Sequence, residues 1–344
     1  MILLLVMLLM LASSSFFAHS LEHLGKYFNF SAGFTASVLI AIGTATPELI
    51  VPFVAIGTKH NDIGVGAVLG SSLMLLTVAF PLCGIFVFLT RKPPYSINSE
   101  SLGTVLDLKY IGYGLLSIIL INILQRQFNN LWLNILSVFI LLLLYLLYLY
   151  KVYNLSKQHI ANKTDLHQPS KLLLRIIFDK IKISNSNIEV ENEKILFIML
   201  QLVVSFLLML YSTKYLIYDI ECKAITYKIS AFVLSMLITP ILTELPEKFN
   251  SVNYIIKKKD TLAVGNITGA LVLQVILLPI IPTLYGLWRA DHYIVINLLC
   301  IGLSYCWLLS IFLLQKKWYA WQLIPTILLY ILNIYFCFFS FANI

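Results

Sequence analysis

The chain has 344 residues, of which 60% are apolar and only 12% charged, with a mean hydropathy of +0.89 and a net charge of +8. Soluble globular domains carry roughly a quarter charged residues, so this composition excludes one. It also excludes a disordered or nucleic-acid-binding chain, since neither carries such an apolar load.

A transmembrane helix needs about 20 mostly apolar residues, and runs of that kind recur along the whole chain. The runs predict ten spans. The first five lie near 2–18, 31–57, 62–89, 109–124 and 131–150. The second five lie near 195–217, 229–256, 261–287, 293–314 and 319–342. The first run has no basic residue at its start and only a loose cleavage match at Ser13-Ser14-Ser15-Phe16-Phe17-Ala18, so it reads as a retained helix rather than a signal peptide. The runs are continuous rather than alternating, which excludes a membrane β-barrel. The expected fold is an all-α polytopic membrane protein.

Residues 151–194 form the only long polar stretch and join two five-span halves, 1–150 and 195–344. Within this linker Lys171, Arg175, Asp179 and Lys182 recur at helical spacing and share one face. The stretch is either a short helix on an anionic leaflet or a connector with a solvated basic face. If the linker is cytoplasmic, most Lys and Arg residues fall in inside loops, which places both termini outside. The five cysteines and six histidines show no metal-ligand spacing. They read as small buried hydrophobes and as interfacial or loop residues.

An internal repeat carries more information. A shift of 199 positions aligns 44–70 with 243–269 without a gap, with eight identities in 27 positions. These include Thr44/Thr243, Pro47/Pro246, Glu48/Glu247, Gly66/Gly265 and Gly70/Gly269. Each copy reads Thr-x-x-Pro-Glu, then a short turn, then Gly-x-x-x-Gly. Each half has an odd number of spans, so the second half enters the membrane from the opposite side. Two inverted five-helix repeats are therefore expected, centred on about 31–89 and 229–287. That is the architecture of many secondary transporters.

Pro47 and Pro246 each remove a backbone donor and are predicted to break their helices near mid-membrane. Irregular backbone at that depth must line a cavity or be covered by protein. Glu48 and Glu247 follow the two prolines directly. A charge at this depth costs at least about 2.5–3.5 kcal/mol, so it must face a partner or water. Two facing glutamates form a cation cage whose hard oxygens suit calcium or sodium. The competing reading is a pair of glutamates satisfied by hydrogen bonds between helices. The four repeated glycines are expected to let each following helix approach the broken one closely. Asp62 and Asp260, in the turns, read as solvated residues.

At these residues the chain resembles a known family. Gly43-Thr44-Ala45-Thr46-Pro47-Glu48, followed by Gly70-Ser71, is similar to the first α-repeat of the calcium/cation antiporter superfamily. Thr243-Glu244-Leu245-Pro246-Glu247, followed by Gly265-Asn266, is similar to the second. The sodium/calcium exchangers are the nearest branch. The resemblance implies alternating-access exchange of calcium for sodium at one central site. It assigns Thr44, Glu48, Ser71, Thr243 and Glu247 to that site. The chain departs from the family pattern at five positions. Ala45, Leu75 and Ala270 lack side-chain oxygens that the pattern supplies, Gln274 stands for an aspartate, and Glu244 stands for a serine.

Glu244 lies three residues before Glu247 and four before Lys248. It either restores the aspartate's charge, giving three deep carboxylates, or neutralises Lys248. A third reading makes Glu244 or Lys248 a titrating group of a proton-coupled exchanger. The expected ligand set is therefore Thr44, Glu48, Ser71, Thr243, Glu244, Glu247 and Gln274. The expected partners are calcium and sodium ions and the lipid bilayer, with no cofactor and no nucleic acid. The rival readings are a cation/proton antiporter and a transport-inactive scaffold or sensor. An intramembrane enzyme is disfavoured, because the broken helices offer no His-Asp or Ser-His pair and no zinc ligand set. The short loops make a bacterial inner membrane the default compartment.

Overall fold

In lipid a backbone must satisfy its own polar groups, so apolar runs of this length fold as helices. The computed structural model describes residues 2–28, 41–99, 102–128, 130–159, 192–288 and 292–339. Apart from one small ribbon, the described elements are helical. The first is α1 (Ile2–Tyr27), followed by α2 (Ala41–Gly57) and α3 (Asn61–Met74). A π-helical turn (Leu75–Ala79) leads into α4 (Phe80–Thr90). Strand β1 (Ser96–Asn98), α5 (Leu102–Gln127) and α6 (Leu131–His159) complete the first half.

The second half opens with α7 (Asn192–Tyr227), α8 (Ala231–Thr243) and α9 (Leu245–Ile256). Then come α10 (Asp260–Ile276), the short α11 (Ile280–Leu284) and α12 (His292–Gln315). Strand β2 (Lys317–Tyr319), α13 (Ala320–Leu323) and α14 (Thr326–Phe339) close the chain.

Among the described residues, eight helical stretches are long and apolar enough to cross a membrane. They coincide with eight of the ten sequence spans. The other two spans hold shorter apolar helices: α2 lies within 31–57, and α8 with α9 fills 229–256. The predicted basic helical face of the linker lies outside the described residues.

The central packing joins one half to the other: α3 lies along α8, α5 along α10, and α1 along α7. Glycine explains how close α3 comes to α8. A Cβ on Gly66 would stand 2.5 Å from the Phe232 carbonyl oxygen, and one on Gly70 would stand 2.8 Å from the Met236 Cα. Backbones can touch there only because no side chain intervenes. This corrects the expected partner, since these glycines pack on the second half rather than on their own preceding helix. At Gly265 and Gly269 no described atom lies within 4 Å of an added Cβ. The expected close contact is therefore not made there among the described residues.

One polar clamp fixes the loops at one end. Arg91, just after α4, meets the Asp260 carboxylate at 2.5 and 3.0 Å. It also donates to the Ser96 carbonyl at 3.0 Å and the Ile255 carbonyl at 2.9 Å. The Asn98 amide donates to Asp260 at 2.9 Å. Strand β1 pairs antiparallel with β2, Ile97 opposite Trp318, which extends the clamp to the end of α12. Asp260 is thus not the solvated turn residue expected, because Arg91 reaches it from 169 positions away. Asp62 is exposed, as expected.

The Arg91 and Asp260 side chains are only 12% and 11% exposed, so removing one leaves its partner's charge largely shielded and unpaired. Arg91→Ala should cost about 3–5 kcal/mol of stability, read as a lower thermal transition in detergent. Arg91→Ala combined with Asp260→Ala should cost less than the sum of the two single variants. Strict additivity would contradict the clamp.

Candidate cation site

The two Thr-x-x-Pro-Glu copies fold differently. Helix α2 runs unbroken through both Pro47 and Pro52, so the predicted break in the first copy is absent. A proline removes one donor without ending a membrane helix when neighbours cover the freed groups. Pro47 withdraws the helical donor of the Gly43 carbonyl, and Pro52 that of the Glu48 carbonyl. Gly43 itself lies against Ala18 of α1, where an added Cβ would come within 2.8 Å of the Ala18 Cα. The second copy is broken. Helix α8 ends at Thr243, and Glu244 leaves the helical region with φ −96° and ψ 5°. Pro246 then occupies the first turn of α9, where its missing donor costs nothing.

The break turns Glu244 inward beside Lys248. Glu48, Glu244, Glu247 and Lys248 are all buried. The charges of Glu247, Glu244 and Lys248 all act on Glu48, so the four form one electrostatic cluster. The Lys248 Nζ lies 3.5 Å from Glu244 Oε2. It also faces the Pro240 carbonyl at 3.3 Å and donates to the Met74 Sδ at 2.6 Å. Glu244 Oε1 accepts the Gln274 amide at 3.3 Å, and the Ser71 hydroxyl is a further partner of Glu244. Thr243 turns its hydroxyl back to the Thr239 carbonyl at 3.2 Å.

Two groups stand out in this cluster. Both carboxylate oxygens of Glu48 are buried without a hydrogen-bond partner, and so is the amide oxygen of Gln274. A buried carboxylate in that position calls for a cation or a proton. Among the described residues, no three His, Cys, Asp or Glu side chains converge as a metal-holding group. Hydroxyl, amide and backbone oxygens would therefore have to complete any cation shell.

Of the expected site residues, Glu244, Ser71 and Gln274 meet directly, Glu48 and Glu247 lie within electrostatic reach of Glu244, and the Thr243 hydroxyl turns back to Thr239. The Thr44 side chain lies outside the described residues. Ala45 and Leu75 are buried without a polar atom, and Ala270 is half-buried. Sequence reasoning missed Asn266, whose amide ties α10 to the Glu247 carbonyl and to Ser251, both at 2.9 Å. It also missed Asp107, which is buried although Lys109, two residues on, is exposed.

The family model described as sodium/calcium exchanger protein matches residues 1–154 and 197–339. The chain belongs to this family. Among characterised relatives, it is 30% identical over 78 residues to sodium/potassium/calcium exchanger 4 of Mus musculus and of Homo sapiens. That stretch is 23% of this chain and only 12% of either relative. Among solved structures, the H+/Ca2+ exchanger CAX superposes with a TM-score of 0.71 at 14% identity, covering 98% of this chain and 83% of that one. The sodium-calcium exchanger NCX_Mj, soaked with Na+ and Sr2+, superposes at 0.55 and 19% identity, covering 97% and 96%. These likenesses show the exchanger fold.

Lys248→Met should leave Glu244 buried without its counter-charge and cost about 3–5 kcal/mol. Glu244→Gln in the same chain should recover most of that loss in a thermal melt. If Lys248→Met is neutral by itself, the two side chains are not paired.

Proposed function

We propose that the protein is a secondary active antiporter that exchanges calcium, or a similar divalent cation, for sodium by alternating access at the Glu48–Glu244–Glu247 cluster. The partnerless buried carboxylate of Glu48 carries this reading. Three carboxylates and one ammonium leave a formal charge of −2. One divalent cation or two sodium ions balance that charge equally, which suits exchange at a single place. Family membership supports cation antiport, and the names of the similar solved exchangers include calcium as a partner ion.

On this reading Glu48 and Glu247 hold the cation, with Ser71, Thr44, Thr243 and the Gln274 amide oxygen around it. Glu244 balances Lys248 and reaches the ion less directly. Ten spans in two inverted repeats fit the eight-in-27 identity at a shift of 199, and the family model also matches in two stretches. The loop charges support both termini lying outside, and the short loops support a bacterial inner-membrane location.

A second reading, cation/proton antiport, is favoured by two observations. Ala45, Leu75 and Ala270 supply no side-chain oxygen for peripheral sodium positions, and Lys248 lies 3.5 Å from Glu244, a pair between which a proton can be shared.

Calcium flux into proteoliposomes decides between the two readings. Flux should follow an imposed sodium gradient and ignore a pH gradient of equal size. Glu247→Gln should reduce it by about a hundredfold, equivalent to roughly 2.7 kcal/mol. Glu244→Gln should reduce it less. Flux that follows only the pH gradient would select the second reading.

A further inference from the structure

A fourth buried carboxylate lies away from the cation cluster, where α5, α6 and α10 meet. Asp107 accepts the Tyr148 hydroxyl at 3.0 Å on Oδ1 and the Thr268 hydroxyl at 2.6 Å on Oδ2. Among the described residues it makes no ion pair. The titratable groups around it are few. Helix α6 brings Tyr148, Tyr145 and Lys151, and the Lys151 ammonium lies over the Tyr110 ring at 5.4 Å. Helix α5 itself adds Tyr110, which packs on Tyr148. Helix α12 brings Tyr305, whose hydroxyl donates to the Leu108 carbonyl at 2.8 Å. Helix α10 offers only the Thr268 hydroxyl.

That hydroxyl has a second acceptor. Thr268 Oγ1 lies 3.1 Å from the Val264 carbonyl, one turn back along α10. Two hydrogen-bond patterns therefore fit the same heavy atoms. With Asp107 ionised, Tyr148 donates to Oδ1 and Thr268 donates to Oδ2. With Asp107 protonated on Oδ2, that new O–H donates to Thr268 Oγ1. The Thr268 hydroxyl proton then turns to the Val264 carbonyl, and Tyr148 keeps its bond. Neither state leaves a buried donor or acceptor unpaired, so neither incurs the penalty that normally pins a buried acid in one form.

We propose that Asp107 is a reversible proton-binding site, distinct from the cation cluster, with the Thr268 hydroxyl as its two-way hydrogen-bond relay. Hydrogen bonds to an ionised acceptor are about twice as strong as neutral ones. The ionised form thus holds α5 to α10 and to α6 more tightly than the protonated form. Thr268 lies six residues before Gln274, about 9 Å along the helix. The proton thereby acts on the helix that carries a member of the cation cluster.

The test is infrared difference spectroscopy of the purified full chain across a pH titration, following the carbonyl stretch of protonated buried carboxylic acids. It needs no transport, so it stands or falls separately from the exchange reading. The expected result is a titrating band that persists in Glu48→Gln and vanishes in Asp107→Asn. An unchanged set of bands in folded Asp107→Asn overturns the proposal. If Asp107→Asn does not fold, Thr268→Val keeps the acid and removes the relay. Its band should titrate at a midpoint displaced from that of the unaltered chain, and Thr268→Ser should restore it. A midpoint that Thr268→Val leaves in place also overturns the proposal.

Discussion

Three carboxylates and one ammonium share a space between apolar helices, and most features of this molecule follow from accommodating them. Charges at that depth are costly unless they are paired or coordinated. Glu244 is compensated from within the chain by Lys248 and Gln274. Glu48 has no such partner, since neither of its buried oxygens is hydrogen-bonded to another residue. On the proposed reading, the chain neutralises part of its buried charge permanently and leaves part to a mobile ion. A cluster compensated in full would have no use for a cation. One with no internal compensation would repel its own carboxylates before any ion arrived.

The scaffold around this cluster departs from strict twofold likeness. The first Pro-Glu segment stays helical and frees carbonyls at Gly43 and Glu48. The second breaks at Glu244 and uses the break to aim a carboxylate. The glycine pairs diverge as well. Gly66 and Gly70 bring α3 into backbone contact with α8, whereas Gly265 and Gly269 have no such neighbour among the described residues. The Arg91–Asp260 clamp then fixes the α9–α10 turn against the β ribbon, so the helix that carries Gln274 starts from a rigid point.

The apolar runs made the long helices legible, because length and hydropathy alone decide whether a segment can cross a bilayer. The repeated Thr-x-x-Pro-Glu marked Glu48 and Glu247, both of which are buried, and the spacing from Glu244 to Lys248 allowed their pairing. Other features depend on information that local pattern does not hold. Proline chemistry predicts a lost donor at Pro47, but packing against α1 decides whether the helix also bends. The partner of Gly66 and Gly70 and the partner of Asp260 come from the other half of the chain. Nothing in the local pattern tells Asp107 from an acid at the edge of an apolar run. Two hydroxyls on other helices, Tyr148 and Thr268, are what allow it inside.

The central claim is that the uncompensated carboxylate of Glu48 is where the cation binds. Calcium titration of the purified protein by calorimetry addresses it directly, with Glu48→Gln as the comparison. The account predicts one divalent ion bound per chain in the unaltered protein and none in Glu48→Gln, with both proteins melting cooperatively. Equal stoichiometry and affinity in the two proteins would contradict it.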